Sequence, residues 1–252
     1  MPGPPPLTVL CLHEAGTTGA IWAPLAEALE GHATVLAPDR PGWGEAEPPD
    51  GYSRTTVTEQ AGFGASQLRG LDGPAVICGA GIGAVAAIEL AIAEPHLVTG
   101  TVVVEPPLLS FVPEATKQLS ADVTALRDAV TSGGREAALN AYLAGRMPAL
   151  GPGAGRIPPD LADRGQHAAS SLFAELSAIP AWERTDAELA ASTRPSLVVI
   201  AADSPSYLRT AGRELSRALS RAGLRETEPG LPHFDRAGEL AELVVEIGDT
   251  LA

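Results

Sequence analysis

The chain has 252 residues, enough to bury one large core, and a formal net charge of −14, with only 17 Lys and Arg against 31 Asp and Glu. Cations spread this thinly form no basic patch that could neutralise phosphates, so nucleic acid is not an expected partner. No apolar run approaches the roughly 18 to 20 residues of a membrane span, so no membrane partner is expected.

The opening Met1-Pro2-Gly3-Pro4-Pro5-Pro6 carries no positive charge and leads directly into a short strand, unlike a signal peptide, so a cytoplasmic location is expected. Leu7 to Leu12 is an apolar run bounded by prolines before and His13-Glu14-Ala15-Gly16 after, the pattern of a buried parallel strand ending in a loop. Trp22, Leu25, Ala26 and Leu29 then recur at helical spacing until Gly31. A second strand, Thr34 to Ala37, runs into the turn-rich Pro38-Asp39-Arg40-Pro41-Gly42-Trp43-Gly44. Thr55 to Leu71 reads as a helix and Ala75 to Cys78 as a third strand, followed by a glycine-rich turn and a small-residue helix to about Ala93. Thr101 to Val104 is the fourth strand, and the alternation predicts a parallel sheet covered on both faces.

Between Pro106 and Arg194 the alternation lapses into Ala- and Leu-rich helical patterns, broken by the Pro/Gly-rich stretch from Met147 to Pro159. This is too helical for a linker and predicts a cap over residues 106–194, inserted in a core made of residues 1–105 and 195–252. Leu197 to Ala201 resumes the sheet, Tyr207 to Ala222 reads as a helix, Arg225 to Glu228 as a weak strand, and Gly238 to Leu251 as the closing helix. Cys11 and Cys78 each lie in an apolar run and read as reduced core thiols, although neighbouring strands would bring them within disulfide reach.

The most informative local pattern is Val76-Ile77-Cys78-Gly79-Ala80-Gly81-Ile82-Gly83-Ala84, a strand, a tight turn and a helix start. It fits two motifs. One is the dinucleotide fingerprint, Gly79-x-Gly81-x-x-Ala84, with Glu105 ending the next strand to meet a ribose hydroxyl, which would imply NAD or FAD. The other is the Gly-x-Ser-x-Gly elbow with Gly81 in the serine position. The first leaves His13, the Asp39 to Gly44 loop and His233 without roles, and such fingerprints usually follow the first strand.

Taken together, His13-Glu14-x-Gly16 with Trp22, Asp39-Arg40-Pro41-Gly42-Trp43-Gly44, the elbow, Ala93-Glu94-Pro95 to Glu105, Asp203 and His233 resemble the α/β-hydrolase superfamily over essentially the whole chain. The resemblance implies a mostly parallel sheet flanked by helices with an inserted helical cap. It puts His233 in the position of the general base and Asp203 in that of the carboxylate orienting it, with Glu105 as an alternative acid after an earlier strand. Glu14 stands where the superfamily usually has glycine beside the oxyanion site; there it would repel an anion, or act as a second acid/base. By the same resemblance Ile82, Ala15 and His13 belong to the oxyanion loops, and Trp43 to the pocket with Gly81.

Gly81 has no nucleophilic atom, which excludes an acyl-enzyme formed there. Ser66, Ser110 or a cap serine could in principle serve instead, and nothing in the sequence singles one out. The expected function is therefore an enzyme using His233 for acid/base chemistry, by water activation or proton abstraction, on a small, mainly apolar carbonyl-type substrate. Relatives in the superfamily include hydroxynitrile lyases, cofactor-free oxygenases and small-molecule receptors, so a non-catalytic ligand-binding protein is the alternative. Phe111, Phe173 and Trp182 are candidates for an apolar pocket wall or for cap core. No metal and no cofactor is expected in the favoured scheme.

Overall fold

The computed structural model describes residues 7–151 and 154–250. The segment Met1 to Pro6, read above as unlike a signal peptide, and Leu251, the expected end of the last helix, lie outside the described residues.

Six strands, β1 (Leu7–Leu12), β2 (Ala33–Leu36), β3 (Ala75–Ala80), β4 (Val98–Val104), β5 (Ser196–Ala201) and β6 (Ala222–Thr227), form one sheet in the order β2-β1-β3-β4-β5-β6, and every pairing is parallel. Between them run α1 (Ala23–Ala28), α2 (Val57–Leu68) and α3 (Ile82–Ala93), and after β5 come α7 (Ser206–Ala218) and α8 (Ala237–Asp249). Alternation along each strand divides the core into two layers. Leu10, Leu12, Ile77 and Val198 join the layer under α2, α3 and α7, whereas Val9, Cys11, Val76, Cys78 and Val199 join the layer under α1 and α8.

Between β4 and β5 lie α4 (Thr116–Leu143), α5 (Ala168–Glu175) and α6 (Asp186–Ala190), the inserted helical region. Gly133 and Gly134 have non-helical dihedrals, so α4 is two helical runs meeting at a kink. A cluster of Leu139, Tyr142, Leu143, Ile157, Ala168 and Leu172 packs these segments onto Trp43 of the core. The cap is also tied by backbone: Thr17 bridges Ala162, and the Asp163 amide donates to the Gly16 carbonyl at 2.8 Å.

Element ends differ from expectation for local reasons. The helix expected from Thr55 starts at Val57 because Thr56 and Glu59 close a capping box. The fourth strand begins at Val98 rather than Thr101, its apolar pattern being interrupted by Thr99 and Gly100. The helix expected to reach Ala222 ends at Ala218, since the chain from Ala222 is already the edge strand β6. Only one of its six residues is buried, so it carries a weak apolar signal. Cys11 and Cys78 are paired across β1 and β3 and are free thiols, with burial and the neighbouring thiol pushing the Cys11 pKa up.

Candidate active site

The turn from β3 into α3 sets the geometry of the site. Gly81 has φ +56° and ψ −123°, a conformation that side chains rarely adopt. Gly83 packs against β1 so closely that a Cβ there would lie 2.1 Å from the Leu12 carbonyl oxygen. The Ile82 amide opens α3 and has no carbonyl four residues earlier in the helix to meet, so it is free to face an anion.

Glu14 occupies the space above the turn: a Cβ on Gly81 would lie 2.8 Å from the Glu14 Cβ. The Glu14 side chain is 5 % exposed, and its Oε1 lies 3.5 Å from His233 Nε2. His233 is buried against Trp22, ring centroids 4.9 Å apart, and neither ring nitrogen has a hydrogen-bond partner among the described residues. The structure thus brings together Glu14, Gly81, Ile82, Ala15 and His233, of which all but His233 line one cavity. That cavity of about 250 Å³ lies beneath the cap, walled by Leu109, Leu119, Tyr142, Leu150, Leu172 and Ile179.

Both acids expected beside His233 are engaged elsewhere. Asp203 is 42 % exposed; its Oδ1 accepts from the Gly230 amide at 3.1 Å and from Arg156 Nη1 at 3.3 Å. Glu105 is buried with φ +47°, and accepts from Arg156 Nη2 and from the Ser204 hydroxyl. The guanidinium of Arg156, supplied by the cap segment, thus holds both carboxylates, and the tautomer of His233 is not set by either.

His13 also departs from its expected place. It is fully buried, its Nδ1 donates to the Glu14 carbonyl at 2.9 Å, and its Nε2 accepts from the Arg40 amide at 2.9 Å. Those bonds select one neutral tautomer, and burial followed by the Arg40 charge holds its pKa well below 6.5. His13 therefore fastens the loop after β1 to the loop after β2 and does not line the cavity. Trp43 is likewise behind the wall, donating its indole N–H to Glu175 Oε1 at 2.8 Å.

Four contributors were missed by sequence reasoning. Arg40, fully buried, forms a two-pronged pair with Glu175 and donates to the His13 carbonyl and the Gln60 amide oxygen. Glu175 lines the cavity, and its one sequence signal is an isolated acid in the apolar Ala168–Leu176 stretch. Tyr142 gives the wall its aromatic ring, with burial and then the carboxylates of Glu14 and Glu175 pushing its pKa well above 10. Arg156 had no signal, lying in the Pro/Gly-rich cap stretch. Conversely, Phe173 lies under the Arg135 guanidinium at 5.4 Å, Trp182 donates to Glu89, and Phe111 packs on the core, so none of the three forms the cavity wall. Ser110 lines the cavity, whereas Ser66 is exposed on α2.

Among the described residues no three of His, Cys, Asp and Glu converge as a metal site would require, and no helix is long and apolar enough to cross a membrane.

A parallel sheet wrapped by helices, an inserted helical region over the carboxyl ends of its strands, and a buried histidine beside a tight strand–helix turn define the α/β-hydrolase class of protein. The sequence model of the Alpha/beta hydrolase family matches residues 9–243, and the chain belongs to that family. Solved structures agree on the fold. An alpha/beta hydrolase from Sphaerobacter thermophilus is 24 % identical, with a TM-score of 0.69 over 96 % of this chain and 92 % of that one. A thermophilic esterase from Thermogutta terrifontis, solved with malate, is 18 % identical with a TM-score of 0.70, over 95 % of this chain and 88 % of that one. MenH from S. aureus is 14 % identical with a TM-score of 0.74, over 96 % of this chain and 92 % of that one.

Proposed function

We propose that this chain is an enzyme of hydrolase or lyase type that lacks the elbow serine and acts by proton transfer through His233 on a small, mainly apolar carbonyl-type substrate. The observation that carries the reading is the 3.5 Å approach of His233 Nε2 to Glu14 Oε1 directly above Gly81. With Gly81 at the nucleophile position the elbow offers no hydroxyl to acylate, and in this reading the base acts on water or on the substrate itself. Glu14 stands between His233 and the cavity, so the proton leaving water or substrate passes through the Glu14 carboxylate to Nε2, and the carboxylate then stabilises the imidazolium, the part assigned above to Asp203 or Glu105.

Charge balance favours this division of roles. A bare carboxylate about 4 Å from a developing oxyanion opposes it by about 4 kcal/mol at an effective dielectric of about 20. Once His233 is protonated, Glu14 and the imidazolium form a neutral pair, and the amides of Ile82 and Ala15 can hold the oxygen anion. Replacing His233 by Ala should lower kcat by about 100-fold or more. Undiminished turnover in that variant would sink the proposal.

The alternative, a non-catalytic ligand-binding protein, draws support from His233 lying behind Glu14 with no acid on Nδ1. It predicts saturable binding, no product, and no dependence on His233. The dinucleotide reading loses support, because a pyrophosphate at the start of α3 would have to share the space above Gly81 with the Glu14 carboxylate.

A further inference from the structure

The cavity has an unusual polar inventory. Among the described residues its walls are apolar apart from Glu14, Glu175, Ser110, Thr116 and the Tyr142 hydroxyl, and no Lys, Arg or His lines it. Glu175 is already satisfied: Oε1 accepts from Arg40 Nη1 and Trp43 Nε1, and Oε2 from Arg40 Nη2. Glu14 is not. Its carboxylate is more than nine-tenths buried and accepts no hydrogen bond from any described residue. Its one ionic neighbour, His233 Nε2 at 3.5 Å, is beyond normal hydrogen-bonding distance. Arg156 feels its charge but is held by Glu105 and Asp203.

A carboxylate that faces a largely apolar cavity without a protein donor takes its hydrogen bonds from what enters that cavity, water or ligand. We propose that the small apolar molecule taken by the cavity carries, beside any reacting carbonyl, a group that donates a hydrogen bond to Glu14, a neutral alcohol or a protonated amine, and that the cavity turns away carboxylates and molecules with no donor. This deepens the reading of the cavity as the substrate site and rests on it, but does not require turnover. An anionic head would meet the Glu14 charge with no cation in the wall to offset it. The net charge of −14 works in the same direction, repelling anions and drawing cations to the mouth.

A cavity of about 150 Å³ suffices for benzene, so single-ring probes fit the 250 Å³ available here. Benzyl alcohol and anisole are isomers of near-equal size, one a donor and the other an acceptor only; benzylamine and benzoate supply the two charges. Calorimetric titration of the full chain near pH 7 should give benzyl alcohol and benzylamine affinities about tenfold or more above anisole, with benzoate weakest. Glu14→Gln should lower benzylamine affinity about tenfold or more, and Glu14→Asp, which keeps the charge, should preserve amine over benzoate. Unchanged thermal melting of both variants would show that they fold.

Anisole or benzoate binding as tightly as benzyl alcohol would overturn the proposal. So would an unchanged benzylamine affinity in Glu14→Gln, or no saturable binding by any of the four probes. A wrong order of affinities leaves proton transfer by His233 to be judged separately, on turnover of His233→Ala.

Discussion

At the scale of single residues, Gly81 and Glu14 behave as one linked pair. The Cβ that any side chain at 81 requires would sit 2.8 Å from the Glu14 Cβ, an atom fixed by its own backbone rather than a flexible end. Placing serine at 81 alone should therefore destabilise the fold by about 1–3 kcal/mol, through overpacking and the strained φ. It should also fail to produce a hydroxyl that reacts with a fluorophosphonate. Gly81→Ser combined with Glu14→Gly removes the obstruction and places the new hydroxyl within the reach Glu14 now has toward His233. That double variant should label; equal labelling of the single and double variants would show the two positions to be independent.

At the scale of elements, the cap is held to the sheet by polar anchors as well as by apolar packing, in which Leu108, Ala178 and Leu189 join the main core. Arg40 on the loop after β2 and Glu175 at the end of α5 pair with side chains 0 % and 2 % exposed, and Trp43 adds a third donor to the same carboxylate. Breaking such a pair from one side strands a buried charge. Glu175→Gln should cost about 3–5 kcal/mol of stability, seen as a lower urea midpoint with little change in the denaturant slope. A loss below about 1 kcal/mol would mean that the guanidinium finds other partners or water. Nothing in the local sequence announces this anchor, because its two halves are separated by 135 positions.

At the scale of the whole molecule, buried histidine links stability to pH. His13 is neutral in the fold, held there by burial and Arg40, and its folded pKa lies well below the unfolded value near 6.5. Below 6.5 the unfolded chain binds a proton that the folded chain refuses, so this contribution is present above 6.5 and is lost progressively as the pH falls toward the folded pKa. Stability should decline by up to about 1.4 kcal/mol per pH unit from this residue across that window. Urea unfolding of the wild type and of His13→Gln at stepped pH isolates the effect, since glutamine does not titrate. Parallel stability curves for the two proteins would mean that His13 titrates alike in the folded and unfolded states.

Strand periodicity, helix caps and glycine turns are local, so β1, β3, α3 and the parallel class were legible in the residues themselves. So were Glu14, Gly81, Ile82 and His233 as members of one neighbourhood, because their place in the chain order puts each at the carboxyl end of the sheet or in a loop beside it. The partnerships among them were decided by packing. Asp203 and Glu105 occupy positions in the chain that suit a histidine's acid, yet Arg156 arrives from the cap, some fifty residues from either, and takes both. A carboxylate binds whichever donor tertiary structure places beside it, and that choice leaves His233 facing Glu14 above the turn at Gly81.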